Sequence, residues 1–245
     1  MFSLEGKKIL VTGASSGIGK ATAIMFAANG ATLIITGRDE QKLNAVLTQL
    51  DDQKHRAITC DLSDEEALKK LADSVDQIDG LVYSAGVIDY TLYKNLNREK
   101  YDKIFNVNFY SAIQLTNYLL KFKKIEKGSS LVYISSISSI LGVPATALYG
   151  ASKAALNTAV KVLASELAPR KIRANTVMPG IVRTPMITEA EGLIESEAFD
   201  LAEKQYPLGF GTPDDVASAC LFLTSDASKW ITGTSILLDG GHNLL

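Results

Sequence analysis

Tyr149 and Lys153 stand four residues apart at the start of an amphipathic stretch, so on a helix they share one face. An unperturbed phenol titrates near pH ~10, too high for efficient proton transfer at neutral pH. An adjacent ammonium favours the phenolate and lowers that value, so the pair could give a proton to a carbonyl oxygen or take one from an alcohol. Ser136 closes the apolar run Leu131 to Ile134, thirteen residues before Tyr149. A hydroxyl at that strand end could hold the substrate oxygen.

A second group of residues could grip a ligand. Gly13, Ala14, Ser15, Ser16, Gly17, Ile18 and Gly19 follow the apolar run ending at Thr12 and open an amphipathic helix. Glycines beyond the carboxyl end of a strand let backbone N–H groups approach a pyrophosphate at a helix N-terminus. The spacing is Gly-x-x-x-Gly-x-Gly, which by itself also fits a tight turn with no ligand. At the end of the second strand, where NAD-binding sheets place an acid, stand Gly37 and Arg38. A guanidinium can pair with a 2′-phosphate that an acid would repel, so NADP(H) is favoured over NAD(H). Asp39 is close enough to act as that acid, which keeps NAD(H) open, and it is also well placed to cap the next helix.

These residues must be positioned by regular elements. The runs Lys8 to Thr12, Thr32 to Thr36, His55 to Thr59, Gly80 to Tyr83, Ser130 to Ile134, Arg173 to Val177 and Ser235 to Leu238 predict seven strands. Helical periodicity fills 17–29, 39–50, 63–75, 97–123, 149–167 and 212–223. Ser63 with Glu66 predicts a capping box, and Gly30 a helix terminator. The strands do not alternate polar with apolar, so both sheet faces are covered. The fold class expected is α/β: a single Rossmann-type, doubly wound domain with a seven-stranded parallel sheet between helices. Residues 184–210 break this rhythm and are a candidate substrate lid.

Composition narrows the chemistry. The 245 residues are 47% hydrophobic and 21% charged with a net charge of -2, a globular balance with no field for nucleic acid or an anionic membrane. The start, Met1 to Lys8, lacks the apolar stretch of a signal peptide, and no long apolar run follows, so a soluble cytoplasmic protein is expected. Two cysteines and two histidines argue against disulfide frameworks, metal sites and His-based catalysis. The chemistry falls to Ser, Tyr, Lys, Asn or carboxylates.

The glycine turn from Thr12 to Gly19, Asp61 and Leu62, Ser84, Ala85 and Gly86, Asn108, Ser136, Tyr149 with Lys153, Pro179 and Gly180 with Thr184, and the closing Asp239, Gly240 and Gly241 together resemble the short-chain dehydrogenase/reductase family nearly end to end. The resemblance implies that Tyr149 is the general acid/base and that Lys153 binds the nicotinamide ribose and lowers the phenol's pKa. It implies that Ser136, by its thirteen-residue spacing, holds the substrate oxygen. Asn108 would anchor a proton-relay water and Asp61 would contact adenine. Pro179, Gly180, Ile181 and Thr184 would surround the carboxamide. One departure is Ser84, which stands where the family usually has an Asn bracing the sheet; Gly86 still permits close approach to the cofactor.

Among subfamilies the chain resembles the 3-oxoacyl-[acyl-carrier-protein] reductases. That implies reduction of a 3-oxoacyl thioester or similar apolar ketone, with Ile137, Leu141, Val143, Met186 and the 184–210 segment as an apolar pocket. Lys127 and Arg170 match the positions that receive an acidic carrier protein. A homodimer or homotetramer through the helices at 97–123 and 149–167 is also implied. Two alternatives stay open: an alcohol, sugar or steroid dehydrogenase of the same family, and a cofactor-binding regulatory protein without turnover.

Overall fold

All seven expected runs form strands, and their β-branched, largely uninterrupted apolar character is what a sheet covered on both faces requires. In the computed structural model, which describes residues 2–51, 54–187 and 196–244, they are β1 (Lys8–Thr12), β2 (Thr32–Gly37), β3 (Arg56–Thr59), β4 (Ile78–Tyr83), β5 (Ile125–Ile134), β6 (Arg173–Pro179) and β7 (Ser235–Leu238). They pair in parallel in the order β3-β2-β1-β4-β5-β6-β7. The order reverses between β1 and β4, the switch point at which doubly wound sheets open a crevice beyond their carboxyl ends.

The helices are α1 (Gly17–Ala28), α2 (Glu40–Leu47), α3 (Glu65–Ser74), α4 (Arg98–Phe105), α5 (Ser111–Lys121), α6 (Ala147–Leu167), α7 (Ser196–Glu203) and α8 (Pro213–Thr224). One core joins α3, α5 and α6 to Leu10, Leu81 and Leu131 of the sheet. The other joins α1, α2 and α8 to Ile9, Val11, Val82 and Val132. Neighbouring strand residues go to opposite cores, which explains why these strands carry no polar alternation. Each such fully buried side chain contributes roughly 1.5–3 kcal/mol relative to exposure.

Local details differ from the sequence reading. The cap of α3 is Asp64, not Ser63: its carboxylate accepts from the N–H groups of Glu66 (2.9 Å) and Ala67 (3.3 Å). Ser63 instead donates its hydroxyl to Asp61 at 2.7 Å. The 97–123 stretch is helical but is interrupted by a π-turn at Asn106–Tyr110, between α4 and α5. β5 begins five residues early. Ile78 pairs with Ile125 and Gly80 with Ser130, so extra residues of β5 are accommodated there, including Gly128 at φ 87°. Gly30, at φ 89°, ends the first helical segment as expected. Within the late insertion α7 is formed, while the part of the expected lid at 188–195 lies outside the described residues.

The glycine turn is shaped by close approach. A Cβ on Gly13, which sits at φ 65°, would come within 2.9 Å of the Ala85 backbone, and one on Gly19 would run into the Gly13 carbonyl. Gly19→Ala therefore forces backbone movement at the join of β1 and α1. A loss of about 1–3 kcal/mol is expected, read as a melting temperature lower by about 2–10 °C.

Candidate active site

The carboxyl ends of β1, β2 and β4 border one cleft, lined by Gly13, Ser15, Ser16, Gly17, Ile18, Arg38, Asp61, Leu62, Ser84, Ala85 and Gly86. Along its floor the N-terminus of α1 is left without a side-chain cap, whereas Asp39, Asp64, Asn97 and Thr212 cap α2, α3, α4 and α8. Uncapped N–H groups at a helix start, in a turn that a Cβ would obstruct, suit an anionic diphosphate. The residues present thus fit a dinucleotide. Arg38 borders the cleft, while the Asp39 carboxylate accepts from Lys42 N at 3.0 Å to cap α2 and does not line it. Asp61 is held below the ordinary carboxylate range by the Ser63 N–H and hydroxyl, with Arg38 adding to the effect. Cys60 also lines the cleft, but burial pushes its thiol up to about 11.

The expected chemical group is assembled at the adjoining end. A pocket at the tips of β4, β5 and β6 is lined by Ile18, Ser84, Gly86, Ser136, Tyr149, Lys153, Pro179, Gly180 and Thr184, several of them shared with the first cleft. The Ser136 hydroxyl stands beside the Tyr149 phenol, where it acts to lower the phenol's pKa. Lys153 Nζ lies 5.8 Å from the centre of the Tyr149 ring.

Beyond the paired ends Tyr83 and Tyr133, Ala85 N turns to Thr12 Oγ1 (3.3 Å), and the Ile134 carbonyl receives Lys153 Nζ at 2.8 Å. This arrangement departs from the expected pKa ordering. The ammonium is aimed at Ile134, not at the phenol oxygen; burial raises Tyr149 above its ordinary value, and the neighbouring Ser136 hydroxyl only opposes it. Burial also lowers Lys153 from 10.5 to about 8.

That lowered value has a testable sign. Below pH 8 Lys153 is charged in both folded and unfolded chains, and the folded state bears the full desolvation cost. Between about 8 and 10.5 the unfolded chain binds more protons, so stability from this group rises with pH. Lys153→Met should therefore melt higher than the parent at pH 7, with the gap closing towards pH 10.5 in thermal scans.

A family described as enoyl-(acyl carrier protein) reductase matches residues 13–243. A 3-oxoacyl-[acyl-carrier-protein] reductase of Thermotoga maritima is 36% identical over 245 residues, covering 97% of this chain and 98% of the relative. The chain belongs to the short-chain dehydrogenase/reductase family. An uncharacterised oxidoreductase of Methylorubrum extorquens is also 36% identical, over 98% of this chain and 99% of that protein. Among solved structures, a short-chain dehydrogenase/reductase from Mycobacterium marinum superposes with a TM-score of 0.91 at 30% identity, over 100% of this chain and 98% of the other. A putative NAD(P)-dependent gluconate 5-dehydrogenase from Beutenbergia cavernae with bound NADP gives 0.91 at 28% identity, covering 100% and 99%.

Four readings of this short-chain dehydrogenase/reductase change with its geometry. Asn108 does not line the cleft. Its side-chain oxygen accepts from Val87 N (2.8 Å), and its amide donates to Val87 O (2.9 Å) and Ser152 Oγ (3.1 Å). The side chain is a brace behind Gly86, with both amide hydrogens engaged. Ile181 also faces away: its N–H donates to the Tyr206 hydroxyl (3.3 Å) and its carbonyl accepts from Gly211 N (3.0 Å). Val182 lines the pocket in its place, as the two-residue alternation Gly180, Val182, Thr184 would have indicated.

Third, the apolar wall is made by Ile134, Val182, Met186 and Ile187, whereas Leu141 and Val143 line a separate groove along the start of α6 and Ile137 is buried. Fourth, Lys127 and Arg170 stand at the amino-terminal edge of the sheet, at the start of β5 and just past α6. Arg170 donates to the Ile125 carbonyl at 2.6 Å. The 21 residues of α6 separate that edge from Tyr149 by roughly 30 Å.

The far side of the pocket is tied down. Val182 pairs with Gly211, and Glu203 at the end of α7 accepts from Arg183 at 2.6 and 2.7 Å and from Phe210 N at 3.3 Å. Both legs of the insertion are thereby fastened next to the pocket. The position of Ser84, where an Asn was expected, is braced by Thr12 Oγ1, which accepts from Ser84 N at 3.1 Å.

Proposed function

We propose that this oxidoreductase reduces an apolar ketone, in the first instance a 3-oxoacyl thioester, to a secondary alcohol with NADPH. The observation that carries the reading is the pair of hydroxyls, Ser136 and Tyr149, side by side at a pocket that runs into the glycine-turn cleft. When bound, the nicotinamide cofactor supplies the hydride. Ser136 holds the substrate oxygen, and Tyr149, still protonated at neutral pH, gives it a proton. Lys153, fixed over the phenol ring, is in reach of the cofactor-facing side near Gly86 and binds the ribose. Arg38 receives the 2′-phosphate, and Ser15, Ser16, Gly17 and Ile18 the diphosphate. Asp61 and Leu62 hold the adenine end. Val182 and Thr184 flank the carboxamide.

The apolar wall of Ile134, Val182, Met186 and Ile187 supports an acyl chain over an unprotected sugar. The name of the Thermotoga relative points the same way. Among the described residues no helix is long and apolar enough to cross a membrane, and a cytoplasmic location belongs to this reading. So does an oligomer through α4, α5 and α6, where Tyr101, Val162 and, in the intervening π-turn, Tyr110 are exposed. In such an assembly a carrier docked on Lys127 and Arg170 would serve the site of another copy, because its own lies at the opposite edge.

NADPH and NADH oxidation is to be measured with an acetoacetyl thioester, the matching 2-enoyl thioester, a simple apolar ketone, a ketose and a steroid ketone. Preferred turnover of the acetoacetyl thioester with NADPH is expected. Preference for the ketose, the steroid or the enoyl thioester would overturn the substrate reading. Binding of NADPH without turnover on any of them would favour a regulatory protein.

A further inference from the structure

Tyr149, Lys153 and Asn157 recur at every fourth position of α6 and so form one stripe facing the end of β5. Each ties the helix to that strand end. Tyr149 meets Ser136, Lys153 holds the Ile134 carbonyl, and the Asn157 amide donates to Ser139 Oγ at 2.9 Å and towards Met178 Sδ at 3.4 Å. Ser139 passes the contact on: its hydroxyl donates to the Ser136 carbonyl at 2.6 Å and its N–H donates to the same oxygen at 3.0 Å. Ser136 Oγ in turn accepts from Ser138 N at 3.1 Å. The turn that carries Ser136 is thus pinned to α6 at a point two helical turns beyond Tyr149.

The Asn157 side-chain oxygen is buried and has no hydrogen-bond partner among the described residues. An aliphatic side chain would avoid that cost, so packing alone does not account for the amide.

We propose that Asn157, acting through Ser139, is a positioning residue that holds the Ser136 hydroxyl in line with Tyr149. The proposal rests on the reading of Ser136 and Tyr149 as the reacting pair. Neither Asn157 nor Ser139 lines the cofactor cleft, so their loss acts on turnover and leaves dinucleotide binding alone.

The test compares Asn157→Leu, Ser139→Ala and Ser139→Thr, each made in the parent chain and in Ser136→Ala. Asn157→Leu and Ser139→Ala should each lower kcat for ketone reduction by about 10- to 100-fold, with KM for NADPH within about twofold and no lower melting temperature. Ser139→Thr keeps the hydroxyl and should retain most of the rate. In the Ser136→Ala background, Asn157→Leu should cost less than about twofold more, since the group it positions is gone. Parent-like kcat in Asn157→Leu, or an equal loss in both backgrounds, would overturn the proposal. Full activity of Ser136→Ala would instead sink the underlying reading of Ser136, and the proposal with it.

Discussion

Tyr149→Phe is expected to lower kcat for carbonyl reduction by about 10²- to 10⁴-fold, the range contributed by a positioned proton donor, with KM for the dinucleotide unchanged. The substitution removes one oxygen from a partly buried side chain that lines the pocket and leaves the ring under Lys153, so the fold should be retained. The same site sets a pH dependence. Burial keeps the Tyr149 phenol protonated well past neutrality, and Lys153 titrates at about 8. For reduction, kcat/KM is therefore expected to stay level across the neutral range and to decline above about pH 8, as Lys153 sheds its proton. Oxidation of the alcohol needs the phenolate and should accelerate through the same range. Initial rates in both directions between pH 6 and 10 provide the measurement. An ionisation below pH 7 limiting the reductive rate would mean that some other group governs proton delivery.

The second large effect is expected at Arg38. Loss of a charge-assisted, bidentate contact to a 2′-phosphate is worth about 1.5–3 kcal/mol, so Arg38→Ser should raise KM for NADPH by about 10- to 100-fold. KM for NADH should change by less than about threefold, because nothing on NADH meets that guanidinium. The geometry supports the contrast: Arg38 borders the cleft, and the neighbouring carboxylate of Asp39 is taken up by the first turn of α2. Equal losses with both dinucleotides would mean that Arg38 supports the cleft wall and does not read the phosphate.

Much of this was legible in the sequence because it follows from periodicity and short-range chemistry. The apolar runs identified every strand. The four-residue step from Tyr149 to Lys153 and the glycine turn brought two groups of residues to the same sheet edge. What escaped depends on tertiary pairing. Whether Ser63 or Asp64 caps α3 is decided by which side chain reaches the open N–H groups, and Ser63 is drawn instead to Asp61.

Ile181 and Val182 are equally apolar, and the pairing of Val182 with Gly211, which extends the alternation from Gly180 to Thr184, fixes which of them faces the pocket. Proximity in sequence also misleads across a helix: Arg170 is 21 positions from Tyr149 but at the other edge of the sheet. Lys153 exposes a subtler limit. Its spacing pointed to an ammonium acting on the phenol oxygen, whereas the Ile134 carbonyl, left open where β4 and β5 part, claims the nitrogen.

The reversal of strand order between β1 and β4 divides labour within the cleft. The residues assigned to the adenine half and the diphosphate come from β1, β2, β3 and their loops, while those assigned to the reacting carbon and the nicotinamide half come from β5, β6, α6 and the segment after β6, and the two linings share Ile18, Ser84, Gly86, Thr184 and Met186. Changes confined to one side should combine additively with changes on the other, since Arg38 and Tyr149 share no hydrogen-bond partner. The scaffold is in that sense modular. The contacts to the dinucleotide could be altered without rebuilding the Ser136, Tyr149 and Lys153 group, and the pocket beside that group could be reshaped while the glycine-turn cleft stays as it is.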